Sequence, residues 1–139
     1  KGHSRTTRII IMKYLKYLLL AITSFLMIYG SYNHVANPAF YNGFIPDFLP
    51  KLAVNYFSAV VELIVGILLI IPKTRAKGFL SFSILMVAFL PIHIWDLFKE
   101  VPAIGSQNAA IIRLIVQFIF IALTYLAYKA ESKKSLEII

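Results

Sequence analysis

Lys51-LAVNYFSAVVELIVGILLII-Pro72 decides the fold of this chain. At ~1.5 Å per residue the run is long enough to cross a hydrocarbon layer of about 30 Å, and it is apolar almost throughout. Its one charge is Glu62, near the middle. Hydrocarbon cannot solvate a carboxylate, so Glu62 must be protonated, paired, or turned to a wet cavity inside a bundle. A purely structural helix avoids that cost by using leucine.

Working outward, the whole chain shares this character. Its 139 residues are 60% hydrophobic and 14% charged, with a mean hydropathy of +0.79. Soluble domains run at roughly 45–50% apolar and about 25% charged. The expected class is all-α integral membrane, a four-transmembrane-helix up-down bundle with little chain left for a soluble domain. Spans are expected at 14–32, 52–71, 78–98 and 108–128. They sit in a membrane domain over 14–129, between a basic N-terminal segment, 1–13, and a tail, 130–139.

The net charge of +8 is distributed by side. Lys1, Arg5, Arg8, Lys13 and Lys16 precede the first span; Lys73, Arg75 and Lys77 separate the second from the third; Lys129, Lys133 and Lys134 follow the fourth. The other two loops carry only Lys51 and Lys99. This is the positive-inside pattern, so both termini are expected in the cytoplasm and the charge needs no nucleic-acid partner. A multi-pass protein of a bacterial inner membrane is the expected setting. The absence of cysteine excludes intrinsic thiol–disulfide chemistry and cysteine-ligated iron–sulfur clusters. Met12 reads as a start, which makes residues 1–11 an extension. The basic, apolar opening also resembles a secretory signal, but it lacks a small-x-small cleavage site and is read as an uncleaved span.

The connection 33–50, NHVANPAFYNGFIPDFLP, is too broken by Pro38, Pro46 and Pro50 to span and too aromatic to be a solvated tether. Phe40, Tyr41, Phe44 and Phe48 are expected at headgroup level or capping the outer mouth of the bundle, either as plain anchors or against a ligand.

The polar residues gather by depth. Glu62 lies roughly 15 Å from the outer end of its span, Arg113 roughly 7 Å and Gln117 roughly 13 Å from the outer end of theirs. His93 and Asp96 fall in the last two turns of the third span, and His34 closes the first. Asn55, Ser58, Ala59, Glu62 and Gly66 form a small and polar stripe at helical spacing. Thr23, Met27, Gly30 and His34 share a face, as do Arg113, Gln117, Thr124 and Tyr128. Pro91 is expected to kink the third span. The candidate buried polar or ligand-binding set is therefore His34, Asn55, Glu62, His93, Asp96, Arg113 and Gln117.

Several chemistries fit that set. Glu62 and Arg113 can form a structural ion pair that fixes register, or Glu62 can carry a proton or bind a ligand. A quinone entering between spans two and four would find Arg113, Gln117 and Glu62. His34 and His93 have the chemistry of haem ligands, but interfacial histidines more often bond headgroups or loop carbonyls. A zinc site from His34, His93, Asp96 and Glu62 is chemically allowed, yet no spacing selects for it and Glu62 lies too deep. No resident cofactor or metal is expected, and no complete catalytic set is present, so an enzyme is not expected.

Three elements carry a family resemblance over most of 14–129. Gly30-Ser31-Tyr32-Asn33-His34, with Asn37-Pro38-Ala39-Phe40 and Ile45-Pro46-Asp47-Phe48-Leu49-Pro50, resembles a G-x-x-H-F…P-x-F…P-x-x-L-P stretch. Glu62, Gly66, Leu69, Pro72, Thr74 and Arg75 are similar to an E-x-x-x-G-x-x-L-x-x-P-x-T-R element, and Ile112-Arg113-Leu114-Ile115-Val116-Gln117-Phe118 to an R-x-x-x-Q-F element. The chain thus resembles the DoxX-like membrane proteins, a grouping with DoxD and MauE. Val35 stands where Phe is frequent, His93 where Asn is frequent, and the Pro often found within the third element is absent. The resemblance carries over to His34, Glu62, Arg113 and Gln117, and not to His93. It implies a four-helix bundle and a link to quinone-coupled oxidation, redox-enzyme maturation or receptor assembly. The function expected first is an accessory subunit or assembly factor of a redox-linked membrane or envelope complex. Its partners would be the bilayer and other membrane subunits or further copies of the chain. A ligand-binding protein with a proton-exchanging Glu62 comes second. A small transporter comes last, because the inner half lacks polar steps.

Overall fold

The computed structural model describes residues 2–137. Four helices follow in order: α1 (Gly2–Ala36), α2 (Lys51–Ile70), α3 (Arg75–Leu97) and α4 (Gln107–Leu136). Each is long and apolar enough to cross a membrane, making this a multi-pass membrane protein. Short 3-10 helices, Pro38–Phe44 and Pro72–Thr74, fill two of the connections, and no strand occurs among the described residues.

The helices form two close pairs, α1 with α2 and α3 with α4, joined through α2 and α3; α1 and α4 meet only sparingly. The junction between the pairs is tight because Gly78 has no side chain. A Cβ there would lie 2.6 Å from the Leu69 backbone nitrogen. The turn before it explains Pro72, Thr74 and Arg75. Pro72 holds Ile71 extended and so ends α2. The Thr74 hydroxyl then donates to Leu68 O at 2.9 Å, and Arg75 donates to Leu69 O at 3.1 Å and Ile70 O at 3.2 Å. Carbonyls left without partners at a helix C-terminus are thereby satisfied next to a membrane that offers no hydrogen bonds.

Two expected boundaries were too short. α1 begins a dozen residues before 14, and α4 runs on to Leu136 through the expected tail. Both extensions lie on the side of the termini, where the Lys16 ammonium pairs with Glu131 and ties the two helices together. α3 passes through Pro91 without ending. At the far end of α4, Ser106 caps the helix by accepting from Ala109 N–H at 3.1 Å.

The core has two chemistries. Toward the termini Met27, Val65, Leu69, Phe79, Phe82 and Ala127 pack as one apolar cluster. Toward the opposite end, the buried residues include His34, Asn55, Glu62, Asp96 and Gln117.

Candidate functional site

Polar side chains in that second half line a cavity of about 330 Å³. All four helices and the loop after α1 reach it, with His34, Tyr41, Glu62, His93 and Arg113 among the lining residues. Its volume lies at the lower end of the roughly 300–1,000 Å³ usual for ligand sites.

The α1–α2 wall is built on His34. Asn55 donates its amide to Lys51 O at 3.0 Å, which turns Oδ1 to His34 Nδ1 at 2.7 Å. That carbonyl oxygen can only accept, so Nδ1 carries a proton. The other ring nitrogen, Nε2, faces Glu62 Oε1 at 3.6 Å. Imidazolium with carboxylate and imidazole with carboxylic acid carry the same net charge, so a proton can sit on either partner without adding charge to the bilayer. Tyr41 stacks on the imidazole with ring centres 3.6 Å apart. Its oxygen accepts from Asn33 at 3.2 Å, leaving the phenol proton to donate. Burial pushes that phenol above its ordinary value and keeps it protonated. Gly30 makes room for the carboxylate, since a Cβ there would stand 2.6 Å from Glu62 Oε2.

The α3–α4 wall is built on Asp96. One carboxylate oxygen accepts from Ala103 N–H at 2.7 Å; the other accepts from Arg113 Nη2 at 2.9 Å. Lys99 lies 3.3 Å from the first oxygen. Above this pair, Gln117 donates to Met86 O at 2.6 Å and so presents its oxygen to His93 Nδ1 at 2.5 Å. His93 is therefore anchored through Nδ1–H, as His34 is.

The structural Glu62–Arg113 ion pair that the sequence allows is not formed. Glu62 faces His34 and Arg113 faces Asp96, although both line the same cavity. Side-chain direction about the helix axis decides the partner, and depth alone does not report it. Asp96 is likewise more than an end-of-helix residue, because it is fully buried and organises the turn into α4. The four side chains of the zinc arrangement do not converge, since Asp96 spends its oxygens on Arg113, Lys99 and backbone amides.

Two buried polar atoms lack partners, one on each wall: Glu62 Oε2 and Arg113 Nε. One is an acceptor when ionised and the other a donor; both are buried, Oε2 against Gly30, on residues that line the cavity.

Of the aromatic loop, Phe40, Tyr41 and Phe44 line the cavity, while Phe48 is 85% exposed and takes no part. The loop is fastened by Lys99, which donates to Gly43 O at 2.5 Å, and by the Arg113 guanidinium, 5.3 Å from the centre of the Phe44 ring. The sequence offered no signal for the Lys99–Gly43 contact, which joins residues 56 positions apart. Ser58, on the polar stripe, and Phe89 and Ile92, on α3, complete the lining together with Ile45, Val54 and Ile104.

Residues 22–128 match the model of a family described as Domain of unknown function (DUF8561), and the chain belongs to that family. The match includes every residue of the cavity. No curated protein and no solved structure matches the chain.

Proposed function

We propose that this member of the DUF8561 family binds a small amphiphile with a carbonyl- or hydroxyl-bearing ring in the cavity between its two helix pairs. The observation that carries this reading is that two residues lining one apolar cavity, Glu62 and Arg113, each keep a buried polar atom, Oε2 and Nε, without a partner. Buried polar groups are normally satisfied, and each left alone costs about 1–3 kcal/mol, more when charged. A ring carbonyl accepting from Arg113 Nε–H and a hydroxyl donating to Glu62 Oε2 would recover that energy. A quinol can meet both, because a hydroxyl oxygen also accepts, its quinone can meet Arg113 alone, and Phe40, Phe44 and Phe89 supply faces for the ring.

The His34–Glu62 pair would then exchange a proton with the ligand. Thr23 and Thr124, buried toward the termini, bond only carbonyls of their own helices, Leu19 O at 2.8 Å and Phe120 O at 2.6 Å. The proton therefore returns to the side it came from, which favours binding over conduction. We place that side outside a bacterial inner membrane, with the termini in the cytoplasm, on the charge asymmetry of the loops. An accessory role in a redox-linked complex, as the DoxX-like resemblance implies, is served by the same site if the ligand passes to a partner.

The test is titration of the purified protein with a short-chain benzoquinone and its quinol, followed by native mass spectrometry. Glu62→Gln keeps the shape and removes the charge. Quinol affinity should fall by roughly 10–100-fold, the worth of a hydrogen bond to a charged group. Unchanged affinity in that variant would remove the basis of the proposal.

A further inference from the structure

A second cleft, of about 550 Å³, opens at the opposite end of the bundle between α1 and α4. We infer that it holds one acyl chain of an anionic glycerophospholipid, whose phosphate rests on Lys13 and Lys16. This inference is independent of the ligand in the first cavity.

The cleft exists because the first half of α1 buries none of its residues fully. All four buried residues of α1, Thr23, Met27, Ser31 and His34, lie in its second half. Toward the N-terminus Leu15 and Leu18 remain 54% and 57% exposed, and across the gap Leu123 and Leu126 on α4 remain 45% and 61% exposed. A soluble protein would bury such a surface; here lipid is the solvent.

The lining changes character along its length. Ile22, Leu19, Phe120 and Leu123 form the deep part; Lys13 and Lys16 lie at the mouth. Leu19 packs against the apolar core, so Lys16 is about one turn further toward the membrane surface. Lys13 and Ile22 are separated by roughly 13 Å of helix, a length suited to much of an acyl chain with its headgroup at the lysines.

Charge selects the occupant. Lys16 already pairs with Glu131, whereas Lys13 is exposed and has no acidic partner within ion-pair distance among the described residues. Arg5 and Arg8 continue α1 beyond the cleft, and Lys129, Lys133 and Lys134 stand on the adjoining stretch of α4. A second copy would bring the same cations and be repelled, while an anionic phosphate would be attracted. Basic pockets between spanning helices on one membrane face bind anionic headgroups by this mechanism.

The experiment is competition in nanodiscs between dioleoyl phosphatidylglycerol and dioleoyl phosphatidylcholine, with retained lipid counted by native mass spectrometry. The unaltered protein should keep one phosphatidylglycerol preferentially. Lys13→Gln should lower that preference by roughly fivefold, the worth of one lysine at an anionic surface. Lys134→Gln, away from the cleft, should leave it unchanged. Leu123→Trp should fill the cleft and release either lipid. Equal retention of both lipids by the unaltered protein would overturn the inference. So would an equal loss from Lys13→Gln and Lys134→Gln, which would reduce the effect to general surface charge, or a dimer joined through α1 and α4 without lipid.

Discussion

The two walls of the cavity are made from similar parts and finished differently. Each has a histidine whose Nδ1 faces an amide oxygen, Asn55 at 2.7 Å or Gln117 at 2.5 Å, and each has a buried carboxylate beside a basic side chain. On the α3–α4 wall the carboxylate is saturated. Asp96 accepts from Ala103, Arg113 and Lys99, and such a network holds a turn in place. On the α1–α2 wall Glu62 keeps one oxygen unpartnered and meets its histidine at 3.6 Å, longer than a hydrogen bond. Saturated groups have no capacity left for a ligand. The wall with the open carboxylate is where a proton can be exchanged; the other is the frame, and Arg113 is the residue it lends to the ligand.

The strongest way to break this comparison is to remove the frame. Asp96→Ala leaves the Arg113 and Lys99 charges unpaired beside the site. It should cost about 3–5 kcal/mol, the usual penalty for losing one partner of a buried ion pair. Thermal unfolding in detergent should show a large drop. If the drop is small, the α3–α4 wall is not the frame.

Gly30→Ala sharpens the contrast by attacking the other wall alone. The new Cβ would press on Glu62 Oε2, the far end of a side chain that can swing aside. Overpacking of this kind costs roughly 1–3 kcal/mol. Much of that loss should fall on quinol affinity, with unfolding shifted far less than in Asp96→Ala. Equal effects of the two substitutions on stability would erase the distinction between walls.

The smallest effect is expected at the exposed pair beyond the cavity. Lys51 donates to Asp47 at 2.9 Å, and this bond, with the lysine charge, holds the Asp47 carboxyl below its ordinary value. A depressed carboxyl contributes stability above its unfolded value and loses that contribution as pH falls through the folded one. Lys51→Ala should therefore move the Asp47 titration, followed by NMR, upward toward 3.8. The unfolding temperature at neutral pH should stay where it was, because solvent screens such pairs.

Much of this was legible in the chain. Hydropathy placed all four spans, because a helix crossing lipid must be apolar over about 20 residues. The small and polar stripe of α2 is largely buried, with Asn55, Ala59, Glu62 and Gly66 all inside. The candidate residues His34, Glu62, His93 and Arg113 do line one cavity. The partners were not legible. Glu62 and Arg113 are opposite charges on α2 and α4, yet rotation of each helix sends one to His34 and the other to Asp96. The ends of α1 and α4 were also hidden, since both continue on the side of the termini where hydropathy no longer marks a helix.

What the sequence determined by itself is the solvent, the number of crossings and which residues are polar at depth, because lipid constrains composition residue by residue. What the tertiary structure decided is which polar atoms meet and which are left over. That outcome depends on helix rotation and on where small residues such as Gly30 and Gly78 let chains approach, and it emerges only when four helices pack together.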